Sequence, residues 1–537
     1  MPSQWPVDSP PHLYGAILIA PAVFTALLLS QARPLFLSLW KRFRCRIEGW
    51  AFLLNGREIM QDKYKQSNGT PFAIDAPENR YWVVSSPEQI KEMDAAPQAV
   101  LSLLGAAKDF LQPKYTMKEF DWMEEKQGTE GATLVKTLRN DLTGRLPMLL
   151  PEIRRSMTAL VNSHFESVPP LKGPPARAGT FLMADPRTGA KSTSIFPIVR
   201  RAIAQSNAFI FFGRELSNNA EFIKAGISMV EHTVIISDVV RLLPHAVADP
   251  AGKFLAGRLG SSSIVYDALE SLVAQRFEER DRARMGHEVP EYWDCVQWIM
   301  DNSPKTKPWT VQRVVHELMA LWFGSVHITS VTACFALLDL CRHEEYVAPL
   351  QKEVENTGWE AFQKSGGKLF PLMDSFIKES SRLNPVECLS TRRKALKPFH
   401  FQDGTTIQKG QWVCTPLAGM SRDPKNHACP DEFHGFRFVE PEILNRYSAE
   451  VSTRDFQIPE GAGPAQFTDM SGLPFWGVGK MTCGGRFYAS AAIKTLLGVF
   501  LTKWDLQLKD PDAKQHFAWR SWICPYESTK VVARPRV

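Results

Sequence analysis

The chain reads as one large, mainly α domain with small β-sheets, preceded by an N-terminal transmembrane helix. Three observations carry this: an uncharged apolar run near the N-terminus, helical periodicity through the middle, and short alternating segments confined to the flanks. At 537 residues, 44% hydrophobic and 22% charged, the composition suffices for a large core. The formal charge of +6 comes from 63 basic and 57 acidic residues. About half of that excess falls in the first fifty residues, so nothing calls for a nucleic-acid partner.

Leu13 to Ser30 (LYGAILIAPAVFTALLLS) has the length and composition of a bilayer-spanning helix. Pro21 is tolerable inside such a helix. No Lys or Arg precedes the run, whereas Lys41, Arg42, Arg44 and Arg46 follow it, which places the main body on the cytosolic side. Residues 1–40 are thus expected to be the anchor and 41–537 the functional domain. Asn68-Gly69-Thr70 fits a glycosylation acceptor and should then stay unmodified.

Ala51 to Asp94 reads as short strands and polar turns, Tyr81-Trp82-Val83-Val84 being the clearest strand. Helical periodicity follows in Leu134 to Leu146, Asn219 to Ser237, Ser263 to Met285 and Trp309 to His343. Val168 to Ser194, rich in Pro, Gly and Ala, reads as a long surface loop. Leu318 to Leu340 is apolar on all sides and marks a helix through the protein centre. Its polar residues, among them His327 and Thr329, need partners or a cavity. Strands return between Phe399 and Val413. A last helix begins just past Cys483.

The nine cysteines show no C-x-x-C pair or regular spacing, which suits a reducing compartment. Eight read as ordinary buried thiols. Cys483 differs, because Pro474 to Ala489 (PFWGVGKMTCGGRFYA) frames it with Gly477, Gly479, Gly484 and Gly485 and places Phe475 and Trp476 before it. Glycines let the backbone approach a flat cofactor. A thiolate at a helix N-terminus is stabilised by free N–H groups and the helix dipole, which lowers its pKa. That is what an axial haem ligand requires.

This segment resembles the Cys-ligand loop of the cytochrome P-450 superfamily, in the F-W-G-x-G-K-x-x-C-x-G-R-F form of its fungal, membrane-anchored biosynthetic members. Lys378-Glu379-Ser380-Ser381-Arg382 is similar to the family's E-x-x-R. Pro430 to Phe438 (PDEFHGFRF) is similar to its P-x-x-F…R-F element. There is no H-E-x-x-H, and Gly479-Lys480-Met481 is not a phosphate-binding loop. The resemblance implies the P-450 fold, haem as cofactor and Cys483 as metal ligand. Phe475, Gly477 and Gly479 would bind the cofactor beside it. Glu379, Arg382 and Arg437 would form a structural ion-pair triad.

The pattern is broken in three places. Gly324-Ser325-Val326-His327-Ile328-Thr329 matches the family's [A/G]-G-x-[D/E]-T-[T/S]. His327 therefore replaces the acid, and Ile328 replaces the hydroxyl that serves proton delivery for dioxygen cleavage. Thr329 or a water takes over the relay, with His327 as the other catalytic candidate; alternatively, the substrate's own hydroxyl completes it. Met481 stands where relatives often place a propionate-binding cation, and Gly484 where Pro or an aliphatic is usual. Arg139 and Arg392 are then the candidates for the propionates.

The implied activity is a monooxygenase that hydroxylates or epoxidises an apolar small molecule, such as a terpenoid of fungal secondary metabolism. Phe323 to Thr329 and Val386 to Leu389 would line its pocket. Electrons would come from an NADPH-dependent cytochrome P-450 reductase at the endoplasmic reticulum membrane. The alternatives are a haem-thiolate isomerase or dehydratase that does not cleave dioxygen, for which Ile328 is the only support, and a non-catalytic haem sensor or carrier.

Overall fold

The computed structural model describes residues 49–124, 133–171, 189–448 and 463–536. The expected N-terminal helix and most of the Pro/Gly-rich loop lie outside them. The centre is a helix from Val311 to Arg342, started by the Thr310 hydroxyl, which accepts from the Arg313 N–H at 3.2 Å. Every residue from Thr329 to Cys341 is buried. This helix is long and apolar enough to cross a membrane, but two thirds of its most apolar stretch is buried inside the protein. It is a core helix. Around it pack Ile195–Phe212, Ser261–Arg284, Pro371–Leu383 and Arg486–Lys503. Trp322 sits so close to Gly226 that a Cβ there would meet the indole at 2.7 Å, and the indole N–H donates to the Gly226 carbonyl at 2.9 Å.

Residues 49–67 are helical, which corrects the strand-and-turn reading of Ala51 onward. Gly49, Phe52, Leu53, Gly56 and Met60 are buried at helical spacing, and the polar residues between them face outward. The strands begin only at Phe72–Asp75. They open a five-stranded sheet in the order Phe72–Asp75, Arg80–Val83, Trp412–Thr415, Ser390–Ala395, Leu101–Ser102. Lys191–Ser194, expected to be loop, is instead a strand on Lys530–Pro535, which also pairs with Trp504–Leu508. A further hairpin joins His516–Trp519 to Trp522–Pro525.

That hairpin is held at its turn by a buried cluster. Arg520 lies 2.9 Å from Glu78 and 3.0 Å from Asp238, Arg241 pairs with Glu78, and the Trp519 indole N–H donates to Asp238 at 2.6 Å. The helix Ala220–Leu242, the turn before Arg80 and the hairpin are thereby tied at one point.

Pro371–Leu383 is buried almost along its full length and carries the ion-pair triad. Both Arg382 and Arg437 grip the Glu379 carboxylate, Arg382 at 2.7 and 2.8 Å, Arg437 at 3.0 and 3.1 Å. Removing one member of such a set leaves a buried charge uncompensated. Glu379→Gln should therefore cost about 3–5 kcal/mol in chemical denaturation.

The same helix is capped by a second buried acid. Glu353 accepts from the backbone N–H groups of Leu372 and Met373 at 2.7 and 3.0 Å, and burial pushes its carboxyl up to about 8. The unfolded chain ionises this group in the ordinary carboxylate range, so between about pH 5 and 8 unfolding releases a proton. Stability should fall as pH rises through that window. Glu353→Gln should flatten that slope, as read by denaturation at several pH values.

Candidate active site

The cysteine loop consists of two short turns, Pro474–Trp476 and Gly479–Met481, followed by the helix Arg486–Lys503. The Cys483 N–H donates to the Trp476 carbonyl at 2.7 Å, and the Trp476 indole donates to the Phe467 carbonyl at 2.8 Å. Gly479, at φ +52°, leaves no room for a side chain, because a Cβ would fall inside the Asp94 carboxylate. Gly477, at φ +79°, lies under the Met481 carbonyl. Phe475 is half-buried, packed on Phe467 and Trp476 at ring distances of 5.5 and 5.1 Å.

The backbone N–H groups of Gly485 and Arg486 reach the Cys483 sulfur, the helix-terminus support expected from the sequence. In the protein alone, burial outweighs them and raises the thiol, contrary to the lowered pKa expected from helix position. The same side chain is nevertheless accessible. A group that is desolvated yet uncovered lines an internal space. Cys429 is also exposed, so the buried-thiol reading fails there; its backbone lies at φ +44°.

The central helix opens onto an uncovered space of its own. Ile328 is 48% exposed although the helix beyond it is buried, and Gly324, one turn before, has no atom within 4 Å of where a Cβ would stand. These two positions share a face. Thr329 is turned inward and is 9% exposed. His327 is half-buried, its ring perpendicular to Trp522 at 6.0 Å, and burial, then Arg200, pushes the imidazole down to about 4.

The candidate cations divide. Arg139 donates to the carbonyls of Lys480 at 3.2 Å and Thr482 at 2.8 Å, and its buried Nε has no partner among the described residues. Arg392 is engaged with Glu387 at 2.6 Å and Ser521 at 3.2 Å. Its neighbour Arg393 points to the opposite face of the strand, 3% exposed, with an unpartnered Nη2. Sequence reasoning passed over Arg393; strand alternation was the available signal. The two departures in the loop have local causes. Gly484 lets Leu138 approach to 3.1 Å of a would-be Cβ, and Met481 Sδ accepts from Gln98 at 3.1 Å. Of the expected pocket lining, Val386, Cys388 and Leu389 are buried in the core, and Glu387 is the partly open residue.

Accessible but desolvated Cys483, an uncovered face on the central helix and an orphaned guanidinium nitrogen beside the loop suit a flat, anionic cofactor such as haem. A mainly helical shell with this loop defines a haem enzyme. The family model described as Cytochrome P-450 matches residues 180–531, about two thirds of the chain. The chain belongs to the cytochrome P-450 family: it is a monooxygenase, and its cofactor is haem.

Cytochrome P-450 monooxygenase olcJ of Penicillium canescens is 25% identical over 99% of this chain and 96% of its own. Monooxygenase 110 of Postia placenta is 24% identical over 91% and 90%. Monooxygenase AN1598 of Emericella nidulans reaches 29%, but that match spans only 59% of this chain and 57% of the relative. The solved retinoic-acid-bound cyanobacterial CYP120A1 shares the fold at a TM-score of 0.64, with 15% identity over 91% of this chain and 96% of that one.

Arg139 ties the central residues of the cysteine loop to the helical segment at 133–142. Arg139→Ala should therefore lower haem retention, measured as the haem-to-protein ratio and the rate of haem transfer to apomyoglobin. Arg139→Lys, which lacks the forked donors, should fall between.

Proposed function

We propose that Cys483 is the thiolate that would hold the haem of a monooxygenase that hydroxylates or epoxidises an apolar small molecule. The substrate class we favour is a terpenoid or similar scaffold of fungal secondary metabolism. The carrying observation is Cys483, an exposed residue at the start of a helix with two backbone N–H groups on its sulfur. When bound, haem supplies dioxygen activation, and electron donation from the thiolate favours O–O cleavage.

The chain's own residues do the rest in this reading. Gly485 and Arg486 hold the sulfur, and Gly477 and Gly479, which carry no side chains, would let the loop come close to the cofactor. Arg139, with Arg392 or Arg393, neutralises the cofactor's acidic edge. Ile328 and Gly324 keep the oxygen-side wall apolar. Proton delivery falls to Thr329 and His327, since Ile328 has no hydroxyl. Residues 1–40 would anchor the domain 41–537 to the endoplasmic reticulum membrane, where an NADPH-dependent reductase supplies electrons; the apolar run at Leu13 to Ser30 and the basic residues after it support this.

The test is the ferrous–carbon monoxide difference spectrum of purified protein beside Cys483→Ala. A band at about 450 nm, lost in the variant, is the expected result for thiolate ligation. Its absence from folded, haem-loaded wild type would remove Cys483 as ligand.

A further inference from the structure

His327, on the central helix, and Trp522, on the hairpin, meet as two polar groups that make no hydrogen bond among the described residues. Neither ring nitrogen of His327 has a hydrogen-bond partner among the described residues, and the same holds for the Trp522 indole N–H. The indole nitrogens of Trp122, Trp309 and Trp504, also without partners among the described residues, are by contrast sealed from any probe. The nitrogens of His327 and Trp522 are open. The two rings meet edge to face with centroids 6.0 Å apart, which puts both groups within reach of one small ligand group.

Both are rigidly placed. His327 belongs to the central helix. Trp522 is fixed by its bridge to Glu387, by the Ile523 N–H donating to the Val386 carbonyl at 2.9 Å, and by Phe517 at 5.8 Å. The nearest charge felt by His327 is Arg200, which Glu231 and Glu527 engage at 2.5 and 2.7 Å. Among the described residues the charge acting on His327 is thus already paired, and a neutral ligand group fits better than an ionised one.

We propose that His327 and Trp522 form a hydrogen-bonding subsite for a hydroxyl group on an otherwise apolar substrate. A hydroxyl accepts from the indole N–H and donates to an unprotonated imidazole nitrogen, matching both partners at once. Burial keeps that imidazole unprotonated across the physiological range. The inference rests on the reading of the cavity as the substrate site. It places the substrate's O–H next to Ile328, where the resemblance expects a threonine hydroxyl. It also places the enzyme after a step that installs oxygen on the scaffold, by hydroxylation or by water capture during cyclisation.

The experiment titrates the holoenzyme with decalin, cedrane and androstane, each beside its monohydroxy derivative, following the substrate-induced spin-state shift. Two new hydrogen bonds correspond to a preference of about tenfold for the alcohol in at least one pair. His327→Phe and Trp522→Phe should each cut that preference to about threefold or below. Equal affinity within every pair, failure of all three alcohols to bind, or a preference that survives both substitutions would overturn the proposal. Thermal melting is the second readout. Neither substitution removes a hydrogen bond within the protein, and Trp522→Phe gives up only part of the packing on Phe517, so both variants should stay folded; loss of the alcohol preference only together with loss of the hydrocarbon's binding would make that side chain structural and overturn the subsite. The carbon monoxide band, measured on the same samples, separates this outcome from a failure of the Cys483 reading.

Discussion

Glu379 is a carboxylate with no access to solvent, gripped by two guanidinium groups, and the cysteine side of the molecule hangs from it. A buried ion set of this kind contributes little net stability against an apolar replacement, yet loses several kcal/mol if one member goes. Its value here lies in what the arginines do with their remaining donors. Arg382 also binds the carbonyls of Ser421, Pro430 and Glu432, and Arg437 those of Ala428, Cys429 and Glu432. An irregular segment with few backbone bonds of its own is thereby fixed to a helix. Lys378, one residue before Glu379, binds Pro464 and Ser471 in the same manner, just upstream of the cysteine loop. Desolvation pushes that lysine down to about 8.

With its approach fixed, the cysteine loop depends on close clearances. Gly479 against Asp94 and Gly484 against Leu138 are contacts that no other residue allows without movement. Gly484 departs from the family pattern because a neighbouring helical segment comes unusually near. Met481 departs because Gln98 supplies its partner. With no cation at that place, Arg139 and Arg486 are guanidinium groups that donate to carbonyls of the loop.

The opposite side is held by a different charge set. Glu78, Asp238, Arg241 and Arg520 unite a turn, a long helix and a hairpin tip, with the Tyr81 hydroxyl donating to Glu78 at 2.8 Å. The hairpin carries Trp522 toward His327, so the cavity wall is positioned by ion pairs remote from it.

Much of this was legible in the sequence. The all-round apolar helix, the E-x-x-R pair, the later Arg437 and the glycine-framed Cys483 are local patterns whose chemistry survives being read in one dimension. Helix 49–67 was missed because its buried positions include two glycines, which carry no hydrophobic signal and are buried only because a neighbour presses on them. A Cβ on Gly56 would strike the Arg520 carbonyl, more than four hundred residues away in sequence. Likewise, the sequence reading took Arg392 and passed over Arg393, and only strand pairing showed that Arg392 is tied to Glu387 while Arg393 keeps an Nη2 without a partner among the described residues. The sequence by itself determined the chemistry available: one exceptional thiol, a buried ion triad and a missing threonine hydroxyl. The tertiary structure alone decided what faces what, because desolvation of Cys483 and the meeting of His327 with Trp522 depend on atoms brought together from distant segments.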